Sequence, residues 1–289
     1  MRFFSWQRLW VYARLMRLER PVGTVLLAWS GLWGVLLAGQ GQPPARVCAI
    51  ILLGTFLMRS AGCVCNDLAD RHFDGRVRRT AGRPLATGEV CVAEALVLAV
   101  VLLLLSFLLV CLLNWQSVVL AVVLAGVVLL YPFCKRFFKV PQLVLGVAFA
   151  SPILLAHTAI LGHLTGASVS LFLGTLCWVV LYDTYYALVD REDDLIIGIL
   201  SSAIWVMGRE QLFLALLAVL ALGFWGLTGM LAGLNGWYYL GLLAGALVMA
   251  FYAWQTRHLD RERCFAAFVG HNWVGAFVLL GFFLAYLPS

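Results

Sequence analysis

The chain has 289 residues, of which 63% are hydrophobic and 12% charged, with a formal net charge of +6. A soluble domain carries about 25% charged residues, so this composition excludes a soluble globular enzyme and points to a polytopic membrane protein. The positive balance does not mark a nucleic-acid surface, because the basic residues sit in short segments beside apolar runs, where they set orientation.

In chain order, the first 20 residues hold Arg2, Arg8, Arg14, Arg17 and Arg20. No apolar stretch precedes the first span, so residues 1–20 are expected to be a cytoplasmic or interfacial segment and not a cleavable leader. A span needs about 20 mainly apolar residues. The pattern predicts nine, over residues 22–39, 45–64, 91–112, 116–133, 141–161, 168–188, 211–232, 236–254 and 265–287. Gly41, Pro43 and Pro44 separate the first two, and Asn114 and Trp115 mark the turn between the third and fourth. Pro141 opens the fifth, a position where its missing N–H costs little. Residues 1–289 read as one all-α membrane bundle, with 66–90 and 190–210 as its polar loops. Nine spans place the N-terminus and the loops after spans two, four, six and eight on one face, which then holds 18 of the 20 Lys and Arg residues. That bias predicts a cytoplasmic basic face. The acids fall on or near the same face. His157 and His163 have no acid nearby, so no metal role is expected of them, and the eight cysteines lack zinc spacing and are read as small core residues. Gly174, Gly241 and Gly245 are read as sites of close helix packing.

Two acid-rich segments interrupt the apolar pattern. In the first, Asn66, Asp70 and Asp74 stand four residues apart; in the second, Asp183, Asp190 and Asp194 stand seven and then four apart. On helices each trio shares one face. Carboxylates at the edge of hydrocarbon are costly unless something positive meets them, and acids this dense repel one another unless cations intervene. Oxygen ligands of this kind suit Mg²⁺, which takes one or two carboxylates together with waters and phosphate oxygens. One ion per motif, bridged by a diphosphate, satisfies that preference. Arg59 lies inside an apolar span, two helical turns before Asn66, where it needs an anionic partner. Together with Arg83 and Lys135 it is predicted to bind the diphosphate. An ion-coupled transporter is the rival reading, since intramembrane acids also mark ion paths, but the face opposite the acids offers little to complete such a path.

Asn66-Asp67-x-x-Asp70-x-x-x-Asp74 and Asp183-x-x-Tyr186-Ala187-x-x-Asp190-x-x-Asp193-Asp194 resemble the paired motifs of the UbiA superfamily of intramembrane prenyltransferases. Arg20-Pro21-Val22-Gly23, Met58-Arg59-Ser60-Ala61-Gly62, Arg83-Pro84-Leu85-Ala86-Thr87-Gly88, Tyr131-Pro132-Phe133, Lys135-Arg136 and Pro141-Gln142-Leu143 are similar to the branch that prenylates 4-hydroxybenzoate. The resemblance implies a helical bundle around a central cavity with a lateral opening to lipid. It implies that Asn66, Asp70, Asp74, Asp190 and Asp194 hold Mg²⁺ and diphosphate, and that Arg136 meets the aromatic carboxylate. The implied activity is Mg²⁺-dependent transfer of a polyprenyl group from its diphosphate to the ring carbon ortho to the hydroxyl of 4-hydroxybenzoate, a ubiquinone biosynthesis step. Another acceptor, such as a naphthoate, homogentisate or a haem, remains an alternative. On this reading Tyr131 or Tyr186 offers a ring face to the allylic cation, and Asp183, Asp190 or the diphosphate itself removes the ring proton. Expected partners are the two substrates and membrane lipid, with no nucleic acid and no obligate protein partner. The expected location is the bacterial inner membrane, with the site facing the cytoplasm. The chain departs from the family pattern at Ile196 and Leu200, where lysines are usual.

Overall fold

In hydrocarbon, a segment must satisfy its own backbone N–H and C=O groups, so isolated apolar runs fold as helices. The computed structural model describes residues 6–72, 74–76 and 79–288. Arg2, Phe73 and Arg78 lie outside the described residues. Among those described are eleven helices and no strand: α1 (Trp6–Leu15), α2 (Val22–Ala38), α3 (Ala45–Asp70), α4 (Val92–Val110), α5 (Trp115–Cys134), α6 (Gln142–Leu161), α7 (Gly166–Ile197), α8 (Ser202–Trp205), α9 (Glu210–Leu231), α10 (Gly236–Gln255) and α11 (Arg261–Ala285). Eight of them are long and apolar enough to cross a membrane, and α2, at 17 residues, is a shorter apolar helix. With α2 they occupy the nine expected positions.

Two helices outrun their expected ends. α3 continues through Asn66 to Asp70, and α7 runs for 32 residues, past both Asp190 and Asp194. At 1.5 Å per residue α7 is about 48 Å long, against a hydrocarbon core of about 30 Å. The first acids of each motif therefore ride on rigid helix ends and not on the loops expected over 66–90 and 190–210. Gly198, in the left-handed region at φ 80°, ends α7 and returns its N–H to the Asp194 carbonyl. Asp74 departs from the expected single helical face. α3 stops at Asp70, and Asp74 lies in one turn of 3-10 helix, Asp74–Arg76.

The core at the far end of the bundle is aromatic. Trp33 of α2, Trp178 of α7 and Trp225 of α9 meet with ring centroids 5.3–5.7 Å apart. Gly174 lets Trp225 approach α7, where a Cβ would lie 2.6 Å from its ring. Asn114 caps α5 by accepting from the Ser117 N–H, and its amide donates to the Thr158 carbonyl on α6. Such caps contribute about 1 kcal/mol each. The expected packing role of all eight cysteines needs correction at two positions: Cys91 and Cys111, at opposite ends of α4, are exposed.

α1 lies across the loop between α3 and α4. Arg8 pairs with Glu94, and Arg14 pairs with Glu89 and donates to the Gly82 carbonyl. Trp6, 88% exposed, and Trp10 project outward, as aromatic side chains do at a membrane interface.

Candidate active site

α3 and α7 present their acid-bearing ends to one cavity of about 1140 Å³. Asn66, Asp70 and Asp74 line it from one side, and Asp183, Asp190 and Asp194 line it from the other. The seven- and four-residue spacing on α7 works as read from the sequence, because the helix is unbroken there. Asp74 reaches the same cavity by the turn after α3. Thr80 holds that turn by donating its hydroxyl to the Asp74 carbonyl at 2.8 Å.

Asp67, Asp70, Asp74 and Asp190 are all buried, and buried carboxylates require partners. Each has a cation. Arg17 donates to both oxygens of Asp67 at 2.7 and 2.8 Å. Arg83 bridges Asp67 and Asp74 at 2.9 Å. Lys135 Nζ reaches Asn66 Oδ1 and Asp70 Oδ2, both at 3.2 Å. Arg79 forks onto Asp190, with Nε 3.0 and 2.9 Å from its two oxygens, and Arg261 stands 3.9 Å away. Burial pushes the Asp74 carboxyl above the usual carboxylate range, against the opposing pull of Arg83. Burial also works against the charge on Lys135, but Tyr131 and Asp70 outweigh it and the net direction is upward. For Arg79 burial is likewise overcome, by Tyr186 and Asp190. Lys135 and Arg79 are thus held in their charged forms beside the acids.

The remaining predicted residues divide. Tyr131 lines the cavity with Lys135 Nζ 5.4 Å from its ring centroid. Tyr186 also lines it, with Arg79 4.6 Å above one face and Phe268 4.5 Å away. Arg59 and Asp183 line it at a deeper level. Arg136 does not belong to the lining: its side chain is exposed and donates to the Ala69 carbonyl at 2.8 Å. Leu200 faces the cavity, and its N–H bonds to the Lys135 carbonyl. Ile196 points away and is 85% exposed.

All the acid-motif donors are oxygens, the chemistry that hard divalent cations prefer. Among the described residues no three acids, cysteines or histidines close into a preformed metal cage.

The sequence profile of the UbiA prenyltransferase family matches residues 27–286. A protein of Coxiella burnetii (strain RSA 493 / Nine Mile phase I), named 4-hydroxybenzoate octaprenyltransferase, is 46% identical over 275 residues, covering 95% of this chain and 96% of that one. The chain belongs to the UbiA prenyltransferase family. Two solved structures share its fold. The apo structure of a UbiA homolog from Aeropyrum pernix K1 has a TM-score of 0.80 at 22% identity, over 92% of this chain and 98% of that one. The structure of a UbiA homolog from Archaeoglobus fulgidus bound to GPP and Mg²⁺ has a TM-score of 0.70 at 17% identity, over 96% and 100%. This UbiA-family chain is a multi-pass integral membrane protein.

Sequence reasoning missed three residues that organise the UbiA-type site. Arg17 looks like an orientation anchor, and nothing in its neighbourhood announces that it ties down Asp67. Asp67 sits inside the motif but off the spacing of the other acids. Arg79 is one of several loop arginines, and only the fold selects it to face Asp190.

Proposed function

We propose that this protein transfers a polyprenyl group from polyprenyl diphosphate to the ring carbon ortho to the hydroxyl of 4-hydroxybenzoate, releasing diphosphate from the allylic carbon and passing the ring proton to a cavity carboxylate or to the departing diphosphate. The observation that carries the reading is the convergence of two acid-bearing helix ends, each with its own cations, on one cavity with apolar walls. The name of the near-full-length relative supports the choice of acceptor.

The residues divide the work by height. Asn66, Asp70 and Asp74 on one side and Asp190 and Asp194 on the other hold Mg²⁺. Bound Mg²⁺ neutralises the diphosphate and so weakens the allylic C–O bond. Arg83 and Lys135, joined by Arg79, bind the diphosphate oxygens and stabilise the charge that grows as the group departs. The prenyl chain occupies the apolar limb of the cavity between α4 and α5, where Val100, Leu104, Phe107, Val122 and Val128 line the wall. The Tyr131 ring lies at the boundary between the two zones and offers its negative face to the allylic cation, while Tyr186, covered by Arg79 and Phe268, forms the wall beside it. Low water content in this limb protects that cation from hydrolysis. The basic ends of the helices face the cytoplasm of a bacterial cell, and the bundle resides in its inner membrane.

The test is turnover by the purified protein in lipid nanodiscs, with radiolabelled polyprenyl diphosphate and 4-hydroxybenzoate. Chelation of divalent cations is expected to abolish transfer, and Mg²⁺ to restore it. Asp70→Ala and Asp190→Ala are each expected to lower kcat by at least about 100-fold, as loss of a metal-held carboxylate would. Full Mg²⁺-dependent turnover in either folded variant overturns the metal assignment.

A further inference from the structure

α1 carries apolar side chains on two opposite faces, and the protein covers only one of them. Arg8, Val11, Tyr12 and Leu15 recur at helical spacing and form the inner face. Leu15 is fully buried in a cluster with Ala61 and Val64 of α3 and Ala95 and Ala99 of α4, and Val11 and Tyr12 pack against it. Trp6, Leu9 and Trp10 share the other side, where they are 88%, 47% and 59% exposed. Large apolar side chains grouped in this way mark a contact surface.

The height of α1 on the bundle points to what covers that face. α4 has 19 residues, so it is about 28 Å long, close to the thickness of a hydrocarbon core. Glu94 is the third residue of α4 and stands at the hydrocarbon edge, and Glu94 is the acid that Arg8 pairs with. α1 therefore sits at the level of lipid headgroups. Val92, Leu96 and Val97 at the same end of α4 are exposed, so the wall that meets lipid reaches the level of α1. Interfacial helices bury a Trp- and Leu-bearing face about 5–10 Å into the boundary between headgroups and acyl chains.

The inner face has a second task. Arg8 donates to the Glu89 carbonyl, and Arg14 donates to the Glu89 carboxylate at 2.8 Å and to the Gly82 carbonyl at 3.0 Å. Arg17 follows α1 in the left-handed region at φ 62°, a conformation that costs an L side chain energy. There its guanidinium meets both Asp67 oxygens and the Arg14 carbonyl. α1 thus clasps the loop that carries the cavity-lining Arg79 and Arg83. Partly exposed ion pairs are individually weak, so the clasp is loose unless something else holds α1 down.

We infer that the outer face of α1 seats in the leaflet on the side of the acid-bearing helix ends, and that this lipid contact holds the loop with Arg79 and Arg83 in place. The bilayer is then a structural part of the diphosphate site. The seat itself is independent of the proposed reaction, while its effect on the diphosphate rests on that reading.

Tryptophan fluorescence in nanodiscs tests the seat. The emission removed by Trp6→Phe, taken as a difference from the wild type, should be quenched by phospholipid brominated near the headgroup end of its acyl chains, and little by aqueous iodide. Quenching by iodide and not by the lipid overturns the inference. Protection from both also overturns it, and two copies in each nanodisc would then name a second chain as the occupant. Kinetics test the clasp. Trp6→Ser combined with Leu9→Ser is expected to raise the KM for the polyprenyl diphosphate about fivefold, the worth of one or two partly exposed ion pairs, with kcat and the acceptor KM little changed. Hydrogen exchange should quicken over residues 79–90 and stay slow along α7. Trp6→Phe combined with Leu9→Met keeps the outer face apolar and should match the wild type. An unchanged diphosphate KM or unchanged exchange in the loop overturns the coupling. If no prenyl transfer is found at all, the proposed function falls, and quenching and exchange still decide the seat and the clasp.

Discussion

Asp67 is 1% exposed and spends both carboxylate oxygens on arginines, Arg17 from the N-terminal segment and Arg83 from the loop after α3. It stands next to Asn66 in the chain, yet its work is to aim Arg83 at Asp74. Asp67→Asn removes the charge and leaves two partly buried arginines sharing a neutral amide. Breaking a buried pair costs about 3 kcal/mol, so a fall in Tm and a higher KM for the polyprenyl diphosphate are expected together, with the acceptor KM little changed. Leu200 and Ile196 form a second contrast. Both replace lysines of the family pattern, but Leu200 lines the cavity beside Lys135 and Ile196 is exposed. Leu200→Lys places a cation by the phosphates and should lower the diphosphate KM by about fivefold, in line with one added charged hydrogen bond. Ile196→Lys should leave it unchanged. Equal effects from the two substitutions would show that the cavity does not distinguish them.

At the scale of elements, the long helices α3 and α7 give the site its rigidity. A helix end fixes a side chain more closely than a loop, because backbone hydrogen bonds hold its neighbours on the ladder. α7 is ended by Gly198, after which the chain doubles back so that Leu200 bonds to the Lys135 carbonyl and the Ser202 N–H bonds to the Gln142 side chain at 2.9 Å. No atom stands within 4 Å of a Cβ built at Gly198, so the cost of Gly198→Ala is the backbone's alone. Its left-handed conformation sets that cost at about 1 kcal/mol, to be read as a modest fall in Tm, with turnover retained at low temperature. α1 has a different character. Its ion pairs to Glu89 and Glu94 are partly exposed and individually weak, but they bind the loop that carries Arg79 and Arg83 to the segment that carries Arg17.

The whole molecule is divided by charge. The ends that carry α1, the loop after α3 and the end of α7 are polar, and the opposite ends close on tryptophan. Two native cysteines report which end faces which compartment. Cys91 caps the start of α4 beside the acid-bearing loop, and Cys111 caps its other end; both are exposed. A membrane-impermeant thiol reagent should label Cys91 in inverted inner-membrane vesicles and Cys111 in intact spheroplasts, read by mass spectrometry. The reverse pattern would place the proposed site outside the cytoplasm.

The sequence alone determined where the apolar helices lie, since hydrocarbon leaves an apolar run of that length no other conformation. It also determined which acids of α7 share one face, because their spacing needs only an unbroken helix to align them. What lies between helices was left to the tertiary structure. Asp74 joined its partners by a turn and not by helical periodicity. Arg17 and Arg79 found Asp67 and Asp190 across 50 and 111 positions of chain. Arg136 was turned away from the cavity that its neighbour Lys135 enters. Spacing fixes direction only within one rigid element, and contacts between elements depend on how many side chains pack at once.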